Sequence, residues 1–208
     1  MQYTVIPVTT FLQNCSILWC DQTREAVIVD PGGDLDQIEN FLDQKGLIPT
    51  RIVLTHGHLD HVGGAPALAC SRKLPIVGPH HEDQFWLDGL PGQCEWLGFP
   101  NCAAFLPDEW LDEGDTISFG REVLSVLHCP GHTPGHIVLF HAETRLAIVG
   151  DVLFKGSVGR TDFPRGDQNQ LLRSIREKLF TLGDDVCFIP GHGALSTIGH
   201  ERRTNPYV

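Results

Sequence analysis

The chain has 208 residues, 41% of them hydrophobic, with a formal net charge of −11 and a pI of about 5.3. That length and composition suit one globular domain over residues 1–208 with a substantial core, and an acidic balance without a basic stripe disfavours a nucleic-acid partner. Seven cysteines, an odd number without a C-x-x-C pair, read as reduced thiols in the cytoplasm rather than as a disulfide framework.

The opening MQYTVIPVTTFLQNC has neither a basic n-region nor an A-x-A-like cleavage site, and no apolar run approaches a membrane span. A cytoplasmic location without membrane contact is expected. The first predicted strand is AVIVD (26–30). Residues 34–46 place Leu35, Ile38, Phe41 and Leu42 on one face, which predicts a helix with Asp34 as N-cap and Gly46 as its stop. RIVLTH (51–56) is the next strand, and a helix is expected to start after His61 and run to about Arg72. PIVG (75–78) reads as a strand. Residues 88–115, rich in Pro, Gly and Trp, are expected to be irregular, a packed surface loop or a cleft wall. EVLSVLHC (122–129), HIVLFHA (136–142) and LAIVGD (146–151) are strands. A helix over 168–183, with Leu171, Leu172, Ile175 and Leu179 on one face, precedes a last strand, VCFIPGH (186–192). Strands and helices in this order imply an α/β layered sandwich.

Several of these strands finish on a histidine or aspartate followed by a turn. They are Asp30 in IVDPGG, His56 and His58 in VLTHGH, His132 in LHCPGHTPGH, Asp151 in AIVGD and His192 in FIPGHG. Strand ends that meet at one sheet edge build a concave site on a rigid scaffold. Within HGHLDH an extended start puts His56 and His58 on the same side. The chain then turns into a helix, so Asp60 and His61 leave at a different angle, and each pair can serve its own metal. Four such groups in six positions are costly to bury unless something pairs with them. Their recurrence with the later G-H, G-D and G-H strand ends points to metal binding. Two divalent cations would add four positive charges and bring the total to −7.

THGHLDH, then PGHTPGH, GD and PGHG in that order, resemble the metallo-β-lactamase-fold hydrolases over nearly the whole chain. The resemblance implies a four-layer αββα sandwich with the metal site at one edge, between the two sheets. It implies that one metal is held by His56, His58 and His132 and a second by Asp60, His61 and His192, with Asp151 bridging them. Asp60 is also the catalytic candidate, and Asp30 in VDPGG supports the site from behind the ligands.

Two metals about 3.5–4 Å apart lower the pKa of a shared water from about 15.7 to about 7 and clamp a carbonyl oxygen. Esters, thioesters, lactones, β-lactams and phosphodiesters all suit such a site, and the ligands do not choose among them. The lack of a leader disfavours a secreted β-lactamase, and a −11 chain repels the polyanions that nucleases cut. GDVLFKGSVGRTDFPRGD (150–167) is similar to the glyoxalase II and persulfide dioxygenase branch. With PGHGALSTIGHERRTNP, the similarity is greatest to the short, single-domain type II glyoxalases of bacteria.

That resemblance implies hydrolysis of S-lactoylglutathione to glutathione and lactate. Arg160 is then expected to bind substrate, because its guanidinium fork matches a glutathione carboxylate. The larger glyoxalase II enzymes add a C-terminal helical domain and follow the last ligand with Glu-Tyr-Thr, where this chain has Gly193, Ala194 and Leu195. The alternatives are a persulfide dioxygenase with a single iron, held by two His and one Asp drawn from His56, His58, His132 and Asp151, or a hydrolase of another small thioester or ester. A non-enzymatic scaffold would need a damaged ligand set, and all seven positions are intact. The His/Asp donors suit two divalent metals, zinc first, with iron or manganese compatible. The expected partner is a small-molecule glutathione thioester; a monomer is compatible with the sequence.

Other residues read as structural by default. Cys129 is expected to be a buried strand thiol. His136 either orients the PGHTPGH loop or simply packs. His80 and His81 are expected at a helix start, exposed or capping, while the four tryptophans, three of them in 86–110, either line a cleft or, by default, pack in the core or on the surface.

Overall fold

Alternation along the strands decides the layers. In the computed structural model, which describes residues 1–99 and 102–208, the first half of the chain forms a five-stranded sheet. Its strands β1 (Gln2–Val8), β2 (Gln13–Trp19), β3 (Glu25–Val29), β4 (Ile48–Val53) and β5 (Ile76–Val77) lie in that order. On one face Ile17, Ile28 and Ile52 meet Ile38 and Leu42 of helix α1 (Leu35–Lys45), Leu59 and Val62 of α2 (Leu59–Val62) and Leu68 of α3 (Ala65–Arg72). The residues one step along, Leu18, Val27, Val29 and Val53, face the other way, as a period of two requires.

The second half forms a six-stranded sheet from β6 (Thr116–Phe119), β7 (Glu122–His128), β8 (Ile137–His141), β9 (Leu146–Gly150) and, after a small hairpin of β10 (Leu153–Phe154) and β11 (Ser157–Val158), β12 (Cys187–Pro190) and β13 (Ser196–Thr197). Its order is β13-β12-β9-β8-β7-β6. Leu124, Val126, Leu139, Ile148 and Ile189 close against the inner face of the first sheet. Val138, Ala147, Val149 and Phe188 turn outward to Leu171, Ile175, Leu179 and Ile198. Those last side chains belong to α6 (Gln168–Ser174), the turns that follow it, and α7 (Ile198–Thr204). The result is helices, sheet, sheet, helices: the αββα sandwich expected. No helix among the described residues is long and apolar enough to cross a membrane.

Every strand read from the sequence is present within a few residues; four local readings are corrected. Asp34 precedes α1 but is in the left-handed region (φ 49°) and makes no side-chain cap; its carboxylate takes the Thr9 N–H at 2.8 Å instead. The helix expected after His61 starts earlier, at Leu59, and breaks at Gly63–Gly64 before resuming. A Cβ at position 64 would stand 2.5 Å from the Pro31 carbonyl oxygen, so close passage of the β3–α1 loop fixes the break. The helix expected over 168–183 is regular only to Ser174 and continues as a π turn and a 3₁₀ turn. The stretch 88–115 is not wholly irregular. α4 (Gln84–Asp88) runs into α5 (Leu90–Leu97), Pro91 being tolerated in a first helical turn. Residues 100 and 101 of that stretch lie outside the described residues.

Candidate metal centre

β3 and β4 are parallel, as are β9 and β12, and β7 runs with β9 because both are antiparallel to β8. Their C-terminal ends therefore meet at one edge, delivering Asp30 after β3, residues 55–61 after β4, His132 after β7, Asp151 after β9 and His192 after β12. All seven expected ligands converge there.

The first set is three buried imidazoles. His58 Nδ1 stands 3.1 Å from His56 Nε2 and 3.0 Å from His132 Nε2. The partners of the other ring nitrogens fix the tautomers. His132 donates its Nδ1–H to the Arg160 carbonyl at 2.7 Å. His56 donates its Nδ1–H to the Thr55 hydroxyl at 3.0 Å, and that hydroxyl donates onward to Asp30 at 2.6 Å. Both Nε2 atoms are then bare lone pairs aimed at a third nitrogen, and one proton on His58 cannot satisfy two acceptors. A cation satisfies all three. Tetrahedral nitrogens at about 2.0–2.1 Å from zinc lie about 3.3 Å apart, close to the spacing seen. Burial pushes His56 and His132 below the ordinary imidazole range and His58 down to about 3, so all three rings are neutral, the form that ligates.

The second set is mixed. His192 Nε2 lies 3.1 Å from Asp60 Oδ2, and His61 Nε2 lies 3.8 Å from the same oxygen. Asp151 stands between the sets, 3.4 Å from His61, 3.6 Å from His132 and 3.8 Å from His192. His61 Nε2 and Asp151 Oδ1 are buried without a hydrogen-bond partner. Buried polar atoms are ordinarily paired, and these two point at the gap a cation would fill. Burial opposes charge on His61 and His192, but the carboxylates of Asp60 and Asp151 outweigh it and raise both imidazoles. Burial likewise opposes the Asp151 anion, and His61, His132 and His192 outweigh it, holding the carboxyl well below its usual range. The residues fit two cations, with Asp151 shared.

Asp30 is buried and fully engaged. It accepts from Thr55 N at 2.7 Å, from the Thr55 hydroxyl, and from His61 Nδ1 at 2.9 Å, so it orients ligands rather than acting as one. His136 is more than packing. Its Nε2 accepts the Asp151 backbone N–H at 3.0 Å, and its ring stacks on His56 with centroids 4.6 Å apart. Gly191 is required by close approach, since a Cβ there would lie 2.0 Å from Asp151 Oδ1. Cys129 is buried, as expected. His80 caps a short 3₁₀ turn, its side chain accepting from Glu82 N.

Three supports were not visible as motifs. Asp83 accepts from Gly57 N, Thr133 Oγ1 and Gly135 N at 2.5–2.8 Å, clasping the two loops that carry the first set. Gln93 of α5 accepts from Leu59 N at 2.9 Å and donates to Trp86 O at 2.9 Å. Asn14 of β2 donates to the carbonyls of Pro190 and Gly193, both at 2.9 Å, and so holds the turn bearing His192. Each acts across a long sequence separation, which leaves no local pattern to find.

Above the donors lies a cleft of about 750 Å³, walled by Phe11, Trp86, Trp96, Phe154 and Phe163. Trp86 and Trp96 thus belong to the cleft wall, the alternative to the default of plain packing. Arg160 lines it too, but its fork is engaged: the guanidinium makes a two-point pair with Asp162 at 2.6 Å and lies 4.3 Å over the Phe163 ring.

The family profile of the metallo-beta-lactamase superfamily matches residues 8–192. The hydroxyacylglutathione hydrolase GloC of Haemophilus influenzae is 46% identical over 209 aligned residues, covering all of this chain and 98% of that protein. The crystal structure of BLEG-1 B3 metallo-beta-lactamase superposes with a TM-score of 0.91 at 36% identity, over 99% of both chains. That of TTHA1623 in a di-iron-bound form superposes with a TM-score of 0.89 at 34% identity, over 99% of this chain and 100% of that one.

Proposed function

The chain belongs to the metallo-beta-lactamase superfamily, and from that premise we propose that it is a cytoplasmic, metal-dependent thioesterase of glutathione conjugates. Its reaction is hydrolysis of S-lactoylglutathione, or a close analogue, to glutathione and D-lactate. The observation that carries this is the pair of donor sets sharing Asp151 on the floor of an aromatic cleft. The full-length likeness to a hydroxyacylglutathione hydrolase supports it.

Two divalent cations held by these donors would supply a water acidified to near neutrality and a polarised carbonyl. The chain's own part is positioning. Asp30, Thr55 and the Arg160 carbonyl fix which nitrogen His56, His61 and His132 present, and Asp60, 3.1 Å from His192, is the carboxylate we assign to hold a proton of the attacking water. Thiolate leaves readily, so a strong general acid is not needed. Zinc suits the nitrogen and oxygen donors; the di-iron form of TTHA1623 supports iron as the alternative.

The test is thiol release from S-lactoylglutathione by metal-loaded protein, with oxygen monitored in the same cuvette. Release without oxygen uptake is expected. Oxygen uptake with glutathione persulfide, and no thiol release, would move the protein to the dioxygenases. A second reading, β-lactam hydrolysis, is favoured by the likeness to BLEG-1. It predicts turnover of a chromogenic β-lactam with kcat/KM above that for the thioester.

A further inference from the structure

The two ends of the cleft differ chemically. At the end of His58 and His132, the rings of Trp86 and Phe163 stand 4.5 and 5.0 Å from that of His58, and Arg160 covers Phe163. At the opposite end His192 gives its Nδ1–H to the Phe11 carbonyl at 3.2 Å, and its ring stands 6.4 Å from that of Phe154. Phe11 is 41% exposed and is held in place by stacking on Phe99, centroids 5.4 Å apart. Among the described residues lining the cleft, Arg160 is the only ionised side chain apart from the metal donors. Beyond the metal donors, the His192 end therefore offers aromatic surface and no charged side chain among the described residues.

A thioester with its carbonyl over the donors must send one arm to each end. The arm bearing carboxylates goes to the guanidinium, the only fork among the described residues lining the cleft, in exchange for Asp162. The acyl arm goes to Phe11 and Phe154. Resting on the thioesterase reading above, we propose that the acyl arm is aromatic: the site selects glutathione thioesters of aromatic 2-hydroxy acids over that of lactate. The methyl of a lactoyl group is too small to cover the exposed Phe11 ring and the half-buried Phe154 ring together, whereas a phenyl group covers them and is itself desolvated, in the offset or edge-on geometry that aromatic pairs prefer.

The experiment compares S-mandeloylglutathione with S-lactoylglutathione, which differ by phenyl for methyl, on the metal-loaded full chain. The mandeloyl ester should show kcat/KM about tenfold higher or more, within the range one hydrophobic pocket can discriminate. Phe154→Ala should bring that ratio towards one, and Phe11→Leu, which keeps the backbone carbonyl that His192 needs, should do so in part. Calorimetry gives a readout independent of turnover: S-benzylglutathione should bind more tightly than S-methylglutathione. A lactoyl ester turned over as well as the mandeloyl ester would overturn the inference. So would a ratio unmoved in a Phe154→Ala protein of normal metal content, or equal binding of the two thioethers. Release of thiol from neither ester would instead overturn the thioesterase reading beneath it.

Discussion

Three donors from two different loops end on one carboxylate, that of Asp83. Burial raises this carboxyl and the three donors pull it part of the way back, leaving it up at about 6 and so largely the anion at neutral pH. Asp83→Ala would leave two backbone N–H groups and a hydroxyl buried without acceptors, at about 1–3 kcal/mol each when unsatisfied. Allowing for relaxation, a loss of about 3 kcal/mol is expected, read as a fall in Tm of about 6–12 °C for a chain of this size. Asp83→Asn, keeping one acceptor oxygen, should lose less. Asp151→Ala tests the shared carboxylate: metal content should drop from near two per chain to one or fewer, with activity lost in step. A variant retaining two metals would refute the bridging role. Arg160→Ala should raise KM for glutathione thioesters with kcat nearly unchanged, the pattern of lost uniform binding. Because the guanidinium must first leave Asp162, about threefold to tenfold is expected, as befits an exposed charge contact. A neutral thioester without the glutathione carboxylates should barely respond.

At the scale of elements, the β10–β11 hairpin that carries Phe154 into the cleft is held from behind by α7. Asn205 donates to the carbonyls of Phe154 and Ser157, and the buried Glu201 accepts from Gly156 N at 2.8 Å. Asn205→Ala should therefore raise amide hydrogen exchange across 153–158 while leaving β9 and β12 protected; exchange across 153–158 unchanged from the parent chain would mean that the hairpin holds itself. What the sequence made legible follows from the range of the interactions. Buried strands flanked by G-H and G-D turns declare themselves locally, so the seven side chains that converge at the strand ends were legible. The π turn after α6 escaped notice because Leu171, Ile175 and Leu179 keep a spacing of four and share one buried face through it. α5 was hidden by Pro91 and Gly92, poor helix formers in a segment held by Gln93 and its packing instead of by propensity. Asp83 and Asn14 could not be read at all, since their partners lie between 26 and 179 residues away.

Across the whole molecule, each donor set draws on both sheets. His56 and His58 leave the first sheet and His132 the second; Asp60 and His61 leave the first and His192 the second. Bound cations therefore tie the two sheets together and stabilise only the folded state. At a free concentration one hundred times the dissociation constant, a single site contributes about 2.7 kcal/mol. Chelation should lower Tm by about 5–10 °C, and adding back the divalent metal should restore it. A Tm indifferent to metal would show that the inner core between the sheets suffices alone.

The same interleaving sets an order in time. As the chain emerges from the ribosome, the first sheet brings out His56, His58, Asp60 and His61 together, but neither set is complete. Only when His132 appears does the three-imidazole site close, and the mixed site waits for His192, sixty residues later. A chain made from its N-terminus therefore holds every residue of the three-imidazole set sixty residues before it holds every residue of the mixed set, so the His58 side of the cleft is complete in sequence ahead of the His192 side.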